Sequence, residues 1–173
     1  MRHVTLITTG GTIEKTYDEQ TGGLANRRSL VRRMLRRLRL EETSINIVEL
    51  MSKDSLELTD EDRARIVDAV RTFGGEAGST LETDGIVILH GTDTLEVTGR
   101  WLHERIVRPR VPIVLTGAMR PFEMTRSDAL QNLTESIFAV GVLEPGVYCV
   151  AHGRALGFPG VAKDRQRHTF IKK

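Results

Sequence analysis

Four short segments of this 173-residue sequence combine hydroxyls, glycines and charges at a spacing suited to chemistry. They are Thr8-Thr9-Gly10-Gly11-Thr12, Ser52-Lys53-Asp54-Ser55, His90-Gly91-Thr92-Asp93-Thr94 and Thr116-Gly117-Ala118-Met119-Arg120-Pro121. Paired glycines let the backbone approach a ligand and expose its N–H groups. Such groups bind a carboxylate or stabilise an oxyanion. A threonine beside them becomes a nucleophile when a base is near. Taken singly, each segment has an ordinary explanation. Gly10-Gly11 makes a tight turn, and Thr92-Asp93 caps a helix with a favourable first-turn charge. A lone His90 is a packed or hydrogen-bonded histidine. The four segments together weaken those explanations without naming a reaction.

Each segment directly follows an apolar run. Val4–Ile7, Ile45–Leu50, Ile113–Leu115 and Val147–Val150 read as strands, and Gly85–Leu89 is the unbroken apolar run of a strand buried on both faces. Between them lie amphipathic stretches. Ser29–Leu40 carries Leu30, Val31, Met34, Leu35 and Leu38 on one helical face. Thr59, followed by Asp60, Glu61 and Asp62, starts a helix that runs to about Phe73. Gly74–Asp84 is a loop, Thr94–Ile106 a helix, and Ser127-Asp128 opens another helix to about Val140. The tail from His152 to Lys173 is polar and hard to assign to an element. Val161 before Lys163 and Phe170 with Ile171 after it offer apolar anchors that would pin the tail across the sheet edge and bring the lysine to the Thr92–Asp93 rim. Strands alternating with helices predict an α/β fold: a doubly wound parallel sheet of about five strands with helices on both faces. In such a sheet ligands bind at the carboxyl ends of the strands, where the four segments lie.

Composition narrows the field. The length suits a single domain. Lys and Arg number 25 against 23 Asp and Glu, a net charge of +2, too balanced for a typical nucleic-acid binder. Seven arginines do crowd into Arg27–Arg39. They read as a solvated helix face or a subunit contact with acidic segments such as Asp60–Asp62, and a nucleic-acid or acidic-membrane face is the weaker expectation. One cysteine, Cys149, excludes an internal disulfide. No apolar run approaches the roughly 18 residues of a membrane span. The N-terminal apolar stretch is too short for a signal-peptide core. These features predict a reduced, cytoplasmic protein without membrane contact.

Thr9-Gly10-Gly11-Thr12-Ile13, the run from Asp84 to Thr94, and Thr116–Pro121 resemble the signatures of the bacterial-type L-asparaginases. These are amidohydrolases with a threonine nucleophile. Order and spacing agree, Ser127-Asp128-Ala129 with Asn132-Leu133 fits the helix that follows, and the resemblance spans nearly the whole chain. The common family member carries a second, C-terminal domain, which would begin where this sequence stops, at Lys173. The chain is therefore similar to a short, single-domain branch, with one asparaginase N-terminal-type domain over residues 1–173. In the two-domain enzymes an acidic residue from the C-terminal domain of a neighbouring protomer completes the site, and this sequence does not supply it.

The resemblance implies roles. Thr12 falls on the threonine that attacks the amide carbon and forms an acyl-enzyme. Tyr17 falls in the mobile segment that supplies the activating tyrosine, and Glu14–Asn26, with Gly22-Gly23, is expected to close as a lid. Thr92 and Asp93 fall on the second threonine and its aspartate. Lys163 falls on the family's lysine, completing a Thr-Lys-Asp triad. The N–H groups of Thr92 and Gly11 are expected to form the oxyanion hole, and Gly11 and Gly91 are expected to contact the substrate. Ser52 falls where the substrate α-carboxylate is bound. Lys53 stands where the family commonly has glutamine or glutamate against the α-amine. A cation there repels an ammonium, so Asp54 or Asp93 must take that role. The carbonyl of Ala118 falls where the leaving amide is contacted. Neither metal nor cofactor is implied, and five histidines and one cysteine show no ligand spacing.

The expected reaction is L-asparagine plus water to L-aspartate plus ammonia, in a homodimer or homotetramer. The alternatives are an amidase of the same mechanism acting on glutamine or another amide, including the amidase component of an amidotransferase. A rival of another class is a non-catalytic module that binds an amino acid or nucleic acid.

Overall fold

Burial on both faces selects the central strands. In the computed structural model, which describes residues 1–173, every residue of Gly85–Leu89 and Pro112–Thr116 is buried. The main sheet is built from β1 (Arg2–Gly10), β4 (Thr43–Lys53), β5 (Gly85–Leu89), β6 (Pro112–Thr116), β7 (Gly146–Ala151) and β8 (Arg154–Gly157). Their spatial order is β4-β1-β5-β6-β7-β8. The first five are parallel, and β8 closes the edge antiparallel to β7. Two further pairs stand apart from this sheet: β2 (Thr16–Asp18) with β3 (Gly23–Ala25), and β9 (Val161–Asp164) with β10 (Thr169–Lys172).

Helices cover both faces. On one, α2 (Asp60–Thr72) and α3 (Leu95–Arg105) pack Ile66, Val70, Leu95 and Leu102 onto Ile7, Ile86, Ile88 and Ile113. On the other, α1 (Val31–Leu35) and α4 (Ala129–Ala139) pack Val31, Met34, Leu133 and Ile137 onto Val4, Leu6, Val87 and Val114. The start of α2 is pinned by a reciprocal capping box between Thr59 and Asp62.

One expectation needs correction, and one unassigned segment finds its place. The helix predicted over Ser29–Leu40 is a single α-helical segment, Val31–Leu35, continued by tight i→i+3 turns at Arg37 and Leu38. No acidic residue occupies its first turn, and like charges four apart (Arg28 and Arg32, Arg32 and Arg36, Arg33 and Arg37) work against extension. The tail, hard to assign from the sequence, forms three strands, β8, β9 and β10. His152 and Gly153, both with positive φ, make a two-residue turn from β7 into β8. Val161, Phe158 and Phe170 then anchor the following segment in the α2–α3 core.

Candidate active site

Glycines let the strand-end loops touch backbone to backbone. A Cβ on Gly11, whose φ is +81°, would lie 2.4 Å from the Gly91 nitrogen. A side chain there would therefore push the Thr12 turn away from the Thr92 loop. Gly91 in turn presses against Ser55, and Gly117 against the His90 carbonyl. Thr94 Oγ1 donates to the Ser55 carbonyl at 2.9 Å. Buried His90 bonds the Gly91 carbonyl through Nδ1 and the Thr98 hydroxyl through Nε2, both at 2.8 Å. A carbonyl only accepts, so Nδ1 carries the proton. Burial holds the ring neutral by pulling its pKa down to about 4. His90 thus shapes the loop rather than facing solvent.

Lys163, on β9, reaches this rim. Its Nζ donates to Thr92 Oγ1 at 2.7 Å and to Asp93 Oδ1 at 2.9 Å. The Lys163 backbone N–H donates to Glu96 Oε2 on α3 at 2.8 Å, which fixes the strand against the helix. Arg165 adds a second cation on Asp93 Oδ1, also at 2.9 Å. The hydrogen bond from Lys163, ahead of its charge and of Arg165, holds the Asp93 carboxyl below the usual carboxylate range. Sequence reasoning missed Arg165 and Glu96. The cation two residues beyond Lys163 was the available signal.

The rim hydroxyls divide into two sets. Those of Thr9, Thr94 and Thr116 donate to the carbonyls of Leu89, Ser55 and Val150 at 2.7–2.9 Å. Thr92 instead accepts from Lys163, and Thr12 stands half-buried at the start of a short 3₁₀ turn, Thr12–Glu14. The N–H of Gly11 donates to the Lys53 carbonyl at 2.9 Å. It is therefore occupied, contrary to its expected part in an oxyanion hole. The Thr92 N–H makes no hydrogen bond within the chain.

Ser52 is exposed and lines a cleft of about 270 Å³ with Lys15, Asn26, Asp54 and Glu57. Lys53 turns away from it: its ammonium pairs with the buried Asp62 of α2 at 2.7 Å. Asp54 pairs with Lys15 and caps the Leu56 N–H. The Lys15 hydrogen bond chiefly holds the Asp54 carboxyl low. Tyr17 lies on β2, 62% exposed, opposite Leu24 of β3. The segment expected to act as a lid is a β-hairpin.

Ala118 is buried in a loop held by one carboxylate. Asp128 accepts from the Met119 and Arg120 N–H groups at 3.0 Å and from His152 Nε2 at 2.7 Å. Burial works to raise the Asp128 pKa, and these donors outweigh it. Asn132 Nδ2 donates to the Gly117 carbonyl at 2.8 Å. On its other side His152 Nδ1 meets Thr169 Oγ1 at 2.9 Å. The loop carrying Ala118 is thereby linked to β10, the partner strand of the one that carries Lys163.

The arginine-rich stretch is largely engaged locally. Arg27 pairs with Asp18, and Arg33 with Glu123. The guanidinium groups of Arg33 and Arg37 lie 5.7 and 4.9 Å from the Phe122 ring centre. No group of three His, Cys, Asp or Glu side chains is arranged to hold a metal ion. No helix is long and apolar enough to cross a membrane.

Residues 3–168 match the family described as Asparaginase, N-terminal. The chain is 46% identical over 67 residues, 39% of its length and 20% of the relative's, to an L-asparaginase of Thermococcus kodakarensis. It is 30% identical over 140 residues, 81% of its length and 33% of the relative's, to a component of the glutamyl-tRNA(Gln) amidotransferase of Thermoplasma acidophilum. The solved thermostable L-asparaginase from Thermococcus kodakarensis superposes with a TM-score of 0.84 at 30% identity, over 98% of this chain and 51% of that one. A probable cytoplasmic L-asparaginase from Campylobacter jejuni superposes with a TM-score of 0.78 at 27% identity, over 94% of this chain and 50% of that one. The chain thus spans about half the length of these solved relatives and a third or less of the curated ones.

Proposed function

The chain belongs to the asparaginase family through its N-terminal domain, and on that premise we propose that it is an L-asparagine amidohydrolase with Thr12 as nucleophile. One observation carries the reading: Lys163 bonds both Thr92 and Asp93, opposite a Thr12 turn pressed against the same loop through Gly11. In the first half-reaction Thr12 Oγ attacks the side-chain amide carbon. The Thr12 proton passes toward Tyr17 once the hairpin closes, and the amide nitrogen takes up a proton and leaves as ammonia. The Thr92 N–H serves the developing oxyanion. In the second half-reaction Thr92, with Lys163, activates a water that cleaves the ester and releases aspartate. Ser52 and the Gly91 loop receive the substrate α-carboxylate. Asp54 or Asp93 receives the α-amine, and the Ala118 carbonyl contacts the leaving amide. Lys53 is the least suited of the expected contacts, because Asp62 already holds its charge. The enzyme is read as cytoplasmic and as a homodimer or homotetramer.

A second reading has its own support in the similarity to the amidotransferase component: an amidase that releases ammonia for a partner. Glutamine differs from asparagine by one methylene, worth only about 1–3 kcal/mol in a pocket. The test is ammonia release from L-asparagine, L-glutamine and D-asparagine, with and without chelator. Release from L-asparagine, insensitive to chelator, supports the proposal. Preference for glutamine moves it to the second reading, and silence on every amide removes both.

A further inference from the structure

The segment from Lys15 to Arg28 carries the hairpin and Tyr17, and one side chain ties its two ends together. Glu14 ends the turn that Thr12 begins. Its Oε1 accepts from the Ser29 hydroxyl at 2.5 Å and from the Leu30 N–H at 3.0 Å. Leu30, Val31 and Met34 are buried beyond this point, so the tie is made to a fixed part of the core. Asn26 adds a second contact at the base, from Nδ2 to the Gly11 carbonyl at 2.8 Å. The β2–β3 pair makes no ladder with the main sheet, and its tip from Thr21 to Leu24 is exposed. The hairpin therefore depends on the anchoring at its base.

Glu14 is an unusual anchor. It is 1% exposed, yet its Oε2 has no hydrogen-bond partner. A buried carboxyl in that position tolerates its neutral form far better than its charged one. The groups that face it are the Gly10 N–H from β1, the Ser29 hydroxyl and Leu30 N–H at the entry to α1, and Glu49 on β4. Glu49 is itself 3.7 Å from Arg32 of α1. Burial outweighs the hydrogen bonds from Ser29, Leu30 and Gly10, which favour the charged form, and with repulsion from Glu49 pushes the Glu14 pKa up to about 7.

We propose that Glu14 is a positioning residue that clamps the base of the Tyr17-bearing hairpin beside the Thr12 turn, and that ionisation of its carboxyl loosens the clamp. The functional part of this inference rests on the reading of Thr12 as nucleophile and of the hairpin as its lid. The neutral carboxyl stays in its apolar surroundings and keeps Ser29 and Leu30 in place. The ionised carboxyl is drawn toward water, and the hairpin gains freedom. Closure is then favoured on the acidic side of neutrality.

The test is peptide-resolved hydrogen exchange over residues 15–28 of the full chain, corrected for intrinsic rates, at about pH 6 and about pH 8 on either side of the raised carboxyl. Wild type, Glu14→Gln, Glu14→Ala and Ser29→Ala are compared, with ammonia release measured in parallel. Wild type should lose about tenfold in protection from the lower to the higher pH. Glu14→Gln, which keeps an acceptor and cannot ionise, should be protected equally at both. Glu14→Ala should be unprotected at both, with the main sheet unchanged, and Ser29→Ala should lie between. If Glu14→Ala does not fold, Glu14→Gln and Ser29→Ala decide. A Glu14→Gln protein with the wild-type pH response, or a Ser29→Ala protein with full protection, overturns the clamp. If wild type releases no ammonia from any amide, the proposed function falls, and the exchange data still decide the clamp.

Discussion

Lys163 is the side chain on which the two halves of the proposed site meet. It bridges Thr92 and Asp93 from a strand that enters the sequence some seventy residues later. Lys163→Met keeps the length of the side chain and removes the amine. It should lower kcat at least about 10²-fold with little change in KM, because the amine serves the transition state more than substrate binding. Steady-state ammonia release checks this, and full turnover would make the lysine a bystander. Glu14 makes a different kind of prediction. Its pKa is about 7 in the fold against 4.5 for the free side chain, so between these values the folded chain holds a proton that the unfolded chain has released. Stability from this group is therefore full below about pH 4.5 and falls as pH rises through 7. The loss is about 3 kcal/mol once the group is ionised. Glu14→Gln should melt on the order of 5 °C or more above wild type near pH 8 and level with it near pH 4.5. Parallel melting curves across that range would show that Glu14 is not held neutral. The residues on the motifs were legible because their types and order are distinctive. The engagement of Lys53 by Asp62, and of the Gly11 N–H by the Lys53 carbonyl, was not, since each partner comes from a different element.

At the scale of elements, the tail does more than its polar composition suggests. The hairpin of β9 and β10 carries Lys163 and Arg165, and Val161 and Phe170 bury it against the α2–α3 face. His152 ties Thr169 of that hairpin to Asp128, which holds the loop around Ala118. Truncation after Pro159 should therefore abolish ammonia release, at least about 10²-fold, while far-UV circular dichroism keeps the helical signal of the main sheet's flanking helices. A truncated chain with normal turnover would remove the tail from the site. The buried parallel strands were legible because continuous apolar runs have one structural use in an alternating pattern. The tail was not, because its strands are four residues long and half-polar. Its legible signal was the pair of apolar anchors, Val161 and Phe170, which lie buried against the core, while the His152-Gly153 turn went unread. The helix at Val31–Leu35 is shorter than the apolar stripe over Ser29–Leu40 implies, because such a stripe says nothing of the repulsion among the arginines between its members.

At the scale of the whole molecule, large apolar residues are exposed away from the proposed site. Phe138 and Val142 are 66% and 62% exposed at the end of α4, and β8 leaves one edge of the sheet unpaired. Light scattering at micromolar concentration should report a dimer or tetramer, and an active monomer would remove that part of the reading. The central claim is covalent, and the most direct measurement is rapid acid quench of the full chain during turnover of L-asparagine, followed by peptide mapping by mass spectrometry. The account predicts one aspartyl group in ester linkage on Thr12, absent from Thr12→Ala, which should also lose ammonia release by at least about 10²-fold. Ammonia release retained by Thr12→Ala, or an aspartyl group found on another residue, would contradict it.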